Sequence, residues 1–438
     1  MSVNVKAFFQ ATNPGKALFT DNQEIEEKYY IDFSSVRGGK IIEDLKDNIA
    51  MWSPDEPTCQ LFTGHIGCGK STELWLLKQQ LEAEGFHVVY FESDKNLEMG
   101  DLDVSDILLT IARQVSESLN TREKLNLDEP RRFKSIIEGA IKLLQTEIEI
   151  SPEVELSFGI AKITAQAKDS PQLRSKLRDY LGPRSNGIIE TINQELLEPA
   201  HKKLKQRGKN GLVVIVDNLD KVDSSPKSWG RPQPEYLFVD RGEQLASLHC
   251  HVIYTLPLAL RFSNDFNTLT QRFKSDPQVL PMVSIQLRDG KEFGEGMAKL
   301  RQLVLARAFP HLEEQQRLEK ITEIFDSTET LDYLCKMSGG HVRNILRILN
   351  DAIKKQKGLP ISSENLNKVI QNFRNERTLA VEDEEWELLR QVAQTQKVKG
   401  DDGYQRLIRS MFVYEYRDDD GSWFDINPIL KDSVELKK

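Results

Sequence analysis

One glycine-rich stretch between Cys59 and Leu77 constrains this chain more than any other part of its sequence. Its centre reads Gly64-x-x-x-x-Gly69-Lys70-Ser71, which is the complete phosphate-loop pattern. A short apolar run precedes the glycines and a helix-forming run follows them, so the order is strand, loop and helix. Glycines let successive backbone N–H groups turn towards a polyphosphate, and the start of the helix adds the positive end of its dipole. The stretch therefore predicts an α/β fold, a P-loop NTPase core with a parallel sheet.

Two side chains at the end of this loop are expected to contact the phosphates and the metal ion. Lys70 is expected to contact the β- and γ-phosphates of ATP, and the Ser71 hydroxyl is expected to be a ligand of Mg²⁺. We interpret His65 and Cys68 as spacers, with a metal ligand or a redox thiol as the alternatives. The predicted nucleotide-binding residues are Gly64, His65, Ile66, Gly67, Cys68, Gly69, Lys70, Ser71 and Thr72.

An acidic residue ends a second apolar run, from Leu212 to Asp217. The run is long enough for a strand buried on both faces, and ligands of open parallel sheets bind at the carboxyl ends of the strands. Asp217 is therefore predicted to hold Mg²⁺ through water. The next residue, Asn218, can position a water molecule but cannot accept its proton near neutral pH, and Asp220 on the same strand face is a candidate substitute. These residues predict slow hydrolysis.

Four further side chains are candidates for contacts to the nucleotide. Thr255 ends a β-rich run and would reach the γ-phosphate or the water, unless it merely ends a strand. Arg272 is a candidate finger reaching into a neighbouring subunit's ATP, because a guanidinium there neutralises transition-state charge. Arg343 lies in the first turn of a helix that two glycines open, where a cation is unfavourable unless an anion such as the γ-phosphate compensates it. Arg37 would touch the nucleotide or a neighbouring subunit, with a plain surface arginine as the alternative.

Composition narrows the class of protein. The net charge of −9 over 438 residues argues against a protein that binds nucleic acid through its overall positive charge. Four scattered cysteines without a CxxC pair suit a reducing cytoplasm and give no support to a zinc site. No apolar run approaches the ~18 residues of a membrane span. We therefore expect a cytoplasmic protein.

The chain divides into four predicted regions. Residues 1–30 are interpreted as an arm, and 31–290 as the ATPase core with an insertion at about 120–210. Residues 291–378 form a helical lid, and 379–438 form a winged-helix-like domain.

Within these regions, a hairpin is predicted over 154–167, and an edge strand over Val283–Leu287. The segment from Glu382 to Lys438 holds 14 acidic and 9 basic residues. Phosphate contact needs cations, so this region is expected to bind protein or to pack on the ATPase rather than to bind DNA.

Taken in order, these motifs resemble those of AAA+ and STAND ATPases, and most of all the replication-initiator and STAND-like branch, which includes bacterial ATPases of mobile-element and phage-defence systems. The resemblance covers roughly residues 31 to 430. It implies that Asp217 is the second acidic motif, Thr255 a sensor of the γ-phosphate and Arg343 the lid sensor. Asn218 departs from the family pattern and puts efficient hydrolysis in doubt.

Three functions fit the sequence. The first is a switch ATPase that assembles with like subunits or recruits a protein partner. The second is a DNA-binding ATPase of replication initiation or transposition, for which the basic helix end with Lys202, Lys203 and Lys205 would supply phosphate contacts. The third is a scaffold that ATP stabilises without being hydrolysed.

Overall fold

The computed structural model describes residues 3–16, 18, 26–125, 131–144, 160, 163, 168–400 and 402–437. The chain forms two compact units that interleave along the sequence, and each has its own hydrophobic core. Unit 1 comprises Met1–Ile41, Gly64–Glu73 and Val279–Lys438. Unit 2 comprises Ile42–Thr63 and Leu74–Gln278.

A five-stranded sheet confirms the predicted α/β class. Its strands are β1 (Cys59–Gly64), β2 (Phe86–Glu92), β3 (Gly211–Asp217), β4 (His251–Thr255) and β5 (Gln278–Leu280), in the order β2-β3-β4-β1-β5. The pairings of β2 with β3, of β3 with β4 and of β1 with β4 are parallel. Every residue of β3 is buried, as its continuous apolar sequence predicts.

Helices cover the sheet and build the insertion. Helix Val104–Arg122 begins with a capping box between Asp103 and Asp106 and buries apolar residues at helical spacing. The predicted hairpin at 154–167 lies outside the described residues except for Ile160 and Ile163. Both are helical rather than extended, so the strand prediction is wrong at these two positions, and both are buried in the core of unit 2. Up to residue 278, the helices whose bounds lie within the described residues, including short 3₁₀ and π turns, are Val5–Ala11, Ser34–Val36, Ile41–Asp47, Asn48–Trp52, Lys70–Ala83, Ser93–Asn96, Val104–Arg122, Arg131–Leu144, Pro171–Leu181, Gly182–Arg184, Ser185–Ile192, Asn193–Leu197, Glu198–Gln206, Leu219–Lys221, Gln233–Glu235, Tyr236–Asp240, Gly242–Leu245, Leu258–Phe262 and Phe266–Phe273.

The C-terminal part of unit 1 is helical and then ends in a winged-helix arrangement. Two helices, Asp383–Thr395 and Asp402–Arg409, precede an antiparallel hairpin of β6 (Val413–Asp418) and β7 (Gly421–Ile426), which we call the wing. The order of helix, helix and hairpin matches the prediction. The helices after residue 278 are Gly294–Ala308, Glu314–Leu318, Ile321–Ile324, Thr328–Ser338, Val342–Gln356, Ser363–Thr378, Asp383–Thr395, Asp402–Arg409, Pro428–Lys431 and Val434–Lys437.

The predicted edge strand at Val283–Leu287 is wrong, and the short strand β5 precedes it instead. The backbone N–H groups of this segment and of the residue before it donate to separate partners rather than to one neighbouring strand. Met282 donates to the Glu415 carbonyl, and Val283 and Ser284 donate to the carbonyls of Gly340 and Val36. Alternating apolar residues therefore mark an extended segment packed in the core, not a sheet ladder.

Among the described residues, no helix combines the length and the apolar character needed to cross a lipid bilayer.

Candidate nucleotide-binding site

The phosphate loop, Gly64–Gly69, joins β1 to the phosphate-loop helix, Lys70–Ala83. Gly67 has a φ of +88°, and a Cβ atom built on it would lie 2.8 Å from the Cβ of Arg343. A side chain at this position is therefore excluded by both conformation and space. Ile66, beside it, is exposed, and Ser71 and Thr72 lie in the first turn of the helix.

Lys70 is held inside the loop that it follows. Its ammonium donates to the carbonyl oxygens of Gly64 at 2.8 Å and of His65 at 3.0 Å, and the residue is 5% exposed. Loop carbonyls therefore stabilise a buried positive charge at the start of a helix. This combination of a cation, a helix N-terminus and glycine backbone fits a polyphosphate.

Arg37 lies on the phosphate loop, so its interpretation as a surface arginine is wrong. The residue is 2% exposed and donates from Nη2 to the carbonyl of Cys68 at 2.6 Å. Its Nη1 lies 3.7 Å from the carboxylate of Glu73, in the first turn of the phosphate-loop helix. Burial raises the pKa of Glu73, while the charge of Arg37 opposes that rise. Arg37 thus positions the loop and its helix relative to each other.

His65 is not a spacer, because its imidazole fastens the loop to the wing. Its Nε2 accepts a hydrogen bond from the backbone N–H of Glu415 at 3.0 Å, which places the proton on Nδ1. The ring packs edge-on against Tyr414, with 5.7 Å between ring centroids. Cys68 is buried, and its thiol lies 3.7 Å from the carbonyl of Leu280 in the same unit.

The helix Val342–Gln356, which we call the lid helix, approaches the other side of the loop. The backbone N–H of Arg343 donates to the Gly67 carbonyl at 3.1 Å. His341 caps the helix through Nδ1, which accepts from the N–H of Asn344, and its Nε2 donates to the Ile66 carbonyl at 3.0 Å. Arg343 therefore lies against the phosphate loop, and its contact to a phosphate stays a prediction.

The buried histidine of the lid helix predicts a pH dependence of stability. Burial lowers the pKa of His341 to about 3, whereas the unfolded chain protonates it near pH 6.5. Below pH 6.5 the unfolded state binds more protons, so the contribution of His341 is fully present above that pH and is lost as the pH falls towards 3. From pH 7.5 to 5.0 this loss is about 2 kcal/mol.

Urea denaturation of His341→Asn measures this contribution, since asparagine keeps an acceptor for the helix cap but does not titrate in this range. The free energy of unfolding of the variant should fall less than that of the wild type between pH 7.5 and 5.0. The exposed His311→Asn change should leave the wild-type dependence intact. Equal slopes for His341→Asn and the wild type would contradict a buried neutral imidazole.

The acidic motif lies in unit 2, at the end of β3. The Asp217 carboxylate is fully buried and accepts hydrogen bonds from the hydroxyl of Tyr90 at 2.8 Å and from the N–H of Asn218 at 2.7 Å. Both bonds favour its ionised form. An oriented, buried carboxylate at the carboxyl end of a parallel strand suits water-mediated contact to Mg²⁺.

Asn218 and Thr255 shape the chain that leaves this strand. Asn218 has a left-handed conformation with φ +65°, and its amide donates to the Asp94 carboxylate at 2.8 Å. The Thr255 hydroxyl accepts from the N–H of Leu219 at 2.9 Å and lies 3.4 Å from the Val216 carbonyl. Its described contacts are therefore to the backbone at the end of β3.

The remaining two predicted residues also lie in unit 2. Asp220 is buried in the short 3₁₀ turn Leu219–Lys221. Arg272 ends the helix Phe266–Phe273 and forms an ion pair with Glu243 of the same unit. Its role as a finger towards a neighbouring subunit stays a prediction.

The sequence reasoning missed the part of the wing that contacts the loop. Tyr414 packs against both His65 and His341, and its hydroxyl accepts from the Asn344 amide at 2.7 Å. Tyr416 donates to the Gly339 carbonyl at 2.8 Å. The run of aromatic residues in β6 was the available signal, but it equally describes an ordinary hairpin.

No protein-family model matches the sequence, and no curated protein matches it either. Among solved structures, the chain is similar to Cdc6p from Pyrobaculum aerophilum, with 11% identity over 98% of this chain and 96% of that chain and a TM-score of 0.39. It is similar to the Aeropyrum pernix ORC2 protein in ADPNP–ADP complexes, with 12% identity over 100% of this chain and 97% of that chain and a TM-score of 0.41. It is also similar to the ORC1 protein of that organism in complex with DNA, with 12% identity over 91% of this chain and 92% of that chain and a TM-score of 0.37.

Proposed function

We propose that this protein is a cytoplasmic, ATP-binding switch of the AAA+ type, which hydrolyses ATP slowly and controls self-assembly or the recruitment of a partner protein. The phosphate loop carries this proposal, because its backbone and side chains bond at once to the lid helix and to the wing. His65 bonds to the wing, and the carbonyls of Ile66 and Gly67 accept from the lid. A triphosphate that moves the loop would therefore change the contacts of both elements.

Lys70 and the N–H groups of the loop would bind the phosphates, and Arg343 would meet them from the lid helix. Ser71 would be the direct protein ligand of Mg²⁺, and Asp217 would contact the ion through water. When bound, Mg²⁺ neutralises charge on the phosphate oxygens. Arg37 would hold the loop in shape rather than contact the nucleotide, because its guanidinium is already bonded to Cys68 and close to Glu73.

Slow hydrolysis follows from the residue after the acidic motif. The side-chain amide of Asn218 cannot accept a proton from water, and its NH₂ group donates to the Asp94 carboxylate. We expect the purified protein to release less than about one phosphate per second without a partner, at the low end of ordinary enzyme turnover. A phosphate-release assay at saturating ATP and Mg²⁺ measures this rate. A turnover of many ATP per second would contradict the proposal.

A bacterial defence or mobile-element system is the setting that we propose for this switch. DNA binding, as in replication initiation or transposition, is the second candidate function. Lys202, Lys205 and Arg207 are exposed at the end of helix Glu198–Gln206, although Lys205 is ion-paired with Asp55 at 2.6 Å. Binding through this helix end would weaken steeply with salt and on reversal of its charges. DNA affinity that is absent even at low salt would exclude it.

A further inference from the structure

Three arginines form a continuous strip on unit 1 that begins at the phosphate loop. Arg343 and Arg347 are one turn apart on the lid helix and both are exposed. Arg377, on the helix Ser363–Thr378, donates to the Asn344 side chain at 3.5 Å. The guanidinium carbons of Arg347 and Arg377 lie 4.8 Å and 5.3 Å from the centre of the same Phe373 ring. We call these three residues the arginine strip.

The strip has an excess of positive charge. Over the described part of the chain, none of its members forms an ion pair, and the nearby acid that acts on Arg377 is its neighbour Glu376. Burial and the charge of Arg347 lower the pKa of Arg377. Like charges one turn apart, at the start of a helix, are unfavourable. An anion bound along the strip would remove this cost.

ATP at the phosphate loop can satisfy only the first member of the strip. Arg343 lies against Gly67, whereas Arg347 is one helical turn, about 5.4 Å, further along the lid helix. Arg347 and Arg377 are therefore left for a second anion. Leu379, two residues after Arg377, is 88% exposed, so the surface beside this anion site is partly apolar.

An exposed acidic turn of complementary charge lies at the tip of the wing. The sequence Asp418-Asp419-Asp420 forms the turn, and Asp419 and Asp420 are exposed. Arg288 of the same chain binds Asp418 through two hydrogen bonds of 2.6 Å and 2.8 Å. The turn is thus anchored at one carboxylate and presents the other two to solvent.

The strip and the turn of one chain do not pair with each other: among the described residues, no ion pair joins them. Tyr414 contacts the lid helix through Asn344, and Asp418 lies four residues further along β6, about 13 Å from Tyr414. A pairing between different surface patches of two molecules is head-to-tail, which gives rings or filaments.

We propose that Arg347 and Arg377 bind the acidic wing turn of a second copy of this chain, in a head-to-tail assembly that ATP promotes through Arg343. The inference rests on the proposed nucleotide switch and names its partner. Guanidinium forks bind carboxylates in a bidentate manner, so each arginine can take one aspartate. A nucleic acid is a poorer occupant, because the adjacent segment from Glu382 to Lys438 holds 14 acidic and 9 basic residues and would repel phosphates.

The test uses two reversed variants of the full chain, Arg347→Glu with Arg377→Glu and Asp419→Lys with Asp420→Lys. Light scattering after size exclusion, with Mg²⁺ and a non-hydrolysable ATP analogue, measures assembly. Each variant alone should associate at least about tenfold more weakly than the wild type, because every interface then pairs like charges. An equimolar mixture should assemble again, since each strip then meets a turn of opposite charge.

The matched control is Lys355→Glu with Lys368→Glu, which reverses exposed cations on the same two helices outside the strip. It should assemble like the wild type. Nucleotide affinity is measured on the same samples. A wild-type protein that does not bind the ATP analogue would refute the proposed nucleotide switch itself. Wild-type protein that binds the analogue but stays monomeric, or a mixture that fails to assemble, would overturn the head-to-tail pairing alone. A strip reversal that removes DNA affinity without changing assembly would overturn it in favour of a nucleic acid.

Discussion

Replacing Lys70 by methionine should weaken ATP binding by at least about a hundredfold. Charge-assisted hydrogen bonds contribute about 1.5 to 3 kcal/mol each, and the ammonium is expected to exchange its bonds to Gly64 and His65 for bonds to two phosphates. Methionine keeps the length of the side chain but donates no hydrogen bond. Calorimetric titration with ATP and Mg²⁺ gives the affinity, and circular dichroism shows whether the variant is folded.

Lys78→Met is the matched control for this change. Lys78 lies on the same helix and forms an ion pair with Glu82 at 2.7 Å, away from the loop. Its replacement should change ATP affinity by less than twofold, because this ion pair joins two residues of the same helix and does not reach the loop. Unchanged affinity in a folded Lys70→Met protein would mean that the loop does not bind the triphosphate.

Replacing Gly340 by alanine should destabilise unit 1 by about 3 to 5 kcal/mol. The residue has a φ of +73°, and a Cβ atom there would lie 1.8 Å from the carbonyl oxygen of Val283. The Val283 carbonyl is a main-chain group, and the Val283 N–H donates to the Gly340 carbonyl. Neither backbone segment can therefore move away to make room for the Cβ atom. Thermal and urea denaturation followed by circular dichroism measure the loss.

Gly358→Ala provides the comparison within the same unit. A Cβ atom on Gly358 meets nothing within 4 Å, and the backbone there does not have a positive φ. This change should leave the free energy of unfolding within about 0.5 kcal/mol of the wild type. Equal stability of the two variants would show that Gly340 does not approach Val283 as closely as described.

The local part of this fold was readable in the sequence. Three patterns predicted these elements: the phosphate loop, the apolar run ending at Asp217 and the glycines before Arg343. Each pattern depends only on residues that are close together in the sequence. The phosphate-loop strand, the strand that ends at Asp217, the helical region and the final hairpin therefore appear where the patterns indicate them.

The contacts that join these parts were not readable. His65 looked like a spacer because its partner, the N–H of Glu415, is 350 residues away, and backbone donors have no residue signature. The contact of Arg37 with the Cys68 carbonyl was not predicted, because no residue near Arg37 in the sequence indicates that it reaches the loop. Val283–Leu287 alternates like a strand, yet tertiary partners on three different segments take up the backbone hydrogen bonds at its start.

The most direct test of this account is a structure of the protein with Mg²⁺ and a non-hydrolysable ATP analogue. The account predicts triphosphate oxygens within hydrogen-bonding distance of Lys70 Nζ and of the loop N–H groups, with the Arg343 guanidinium facing them. A structure at saturating analogue in which Lys70 still donates to Gly64 and His65, and no nucleotide lies at the loop, would contradict it.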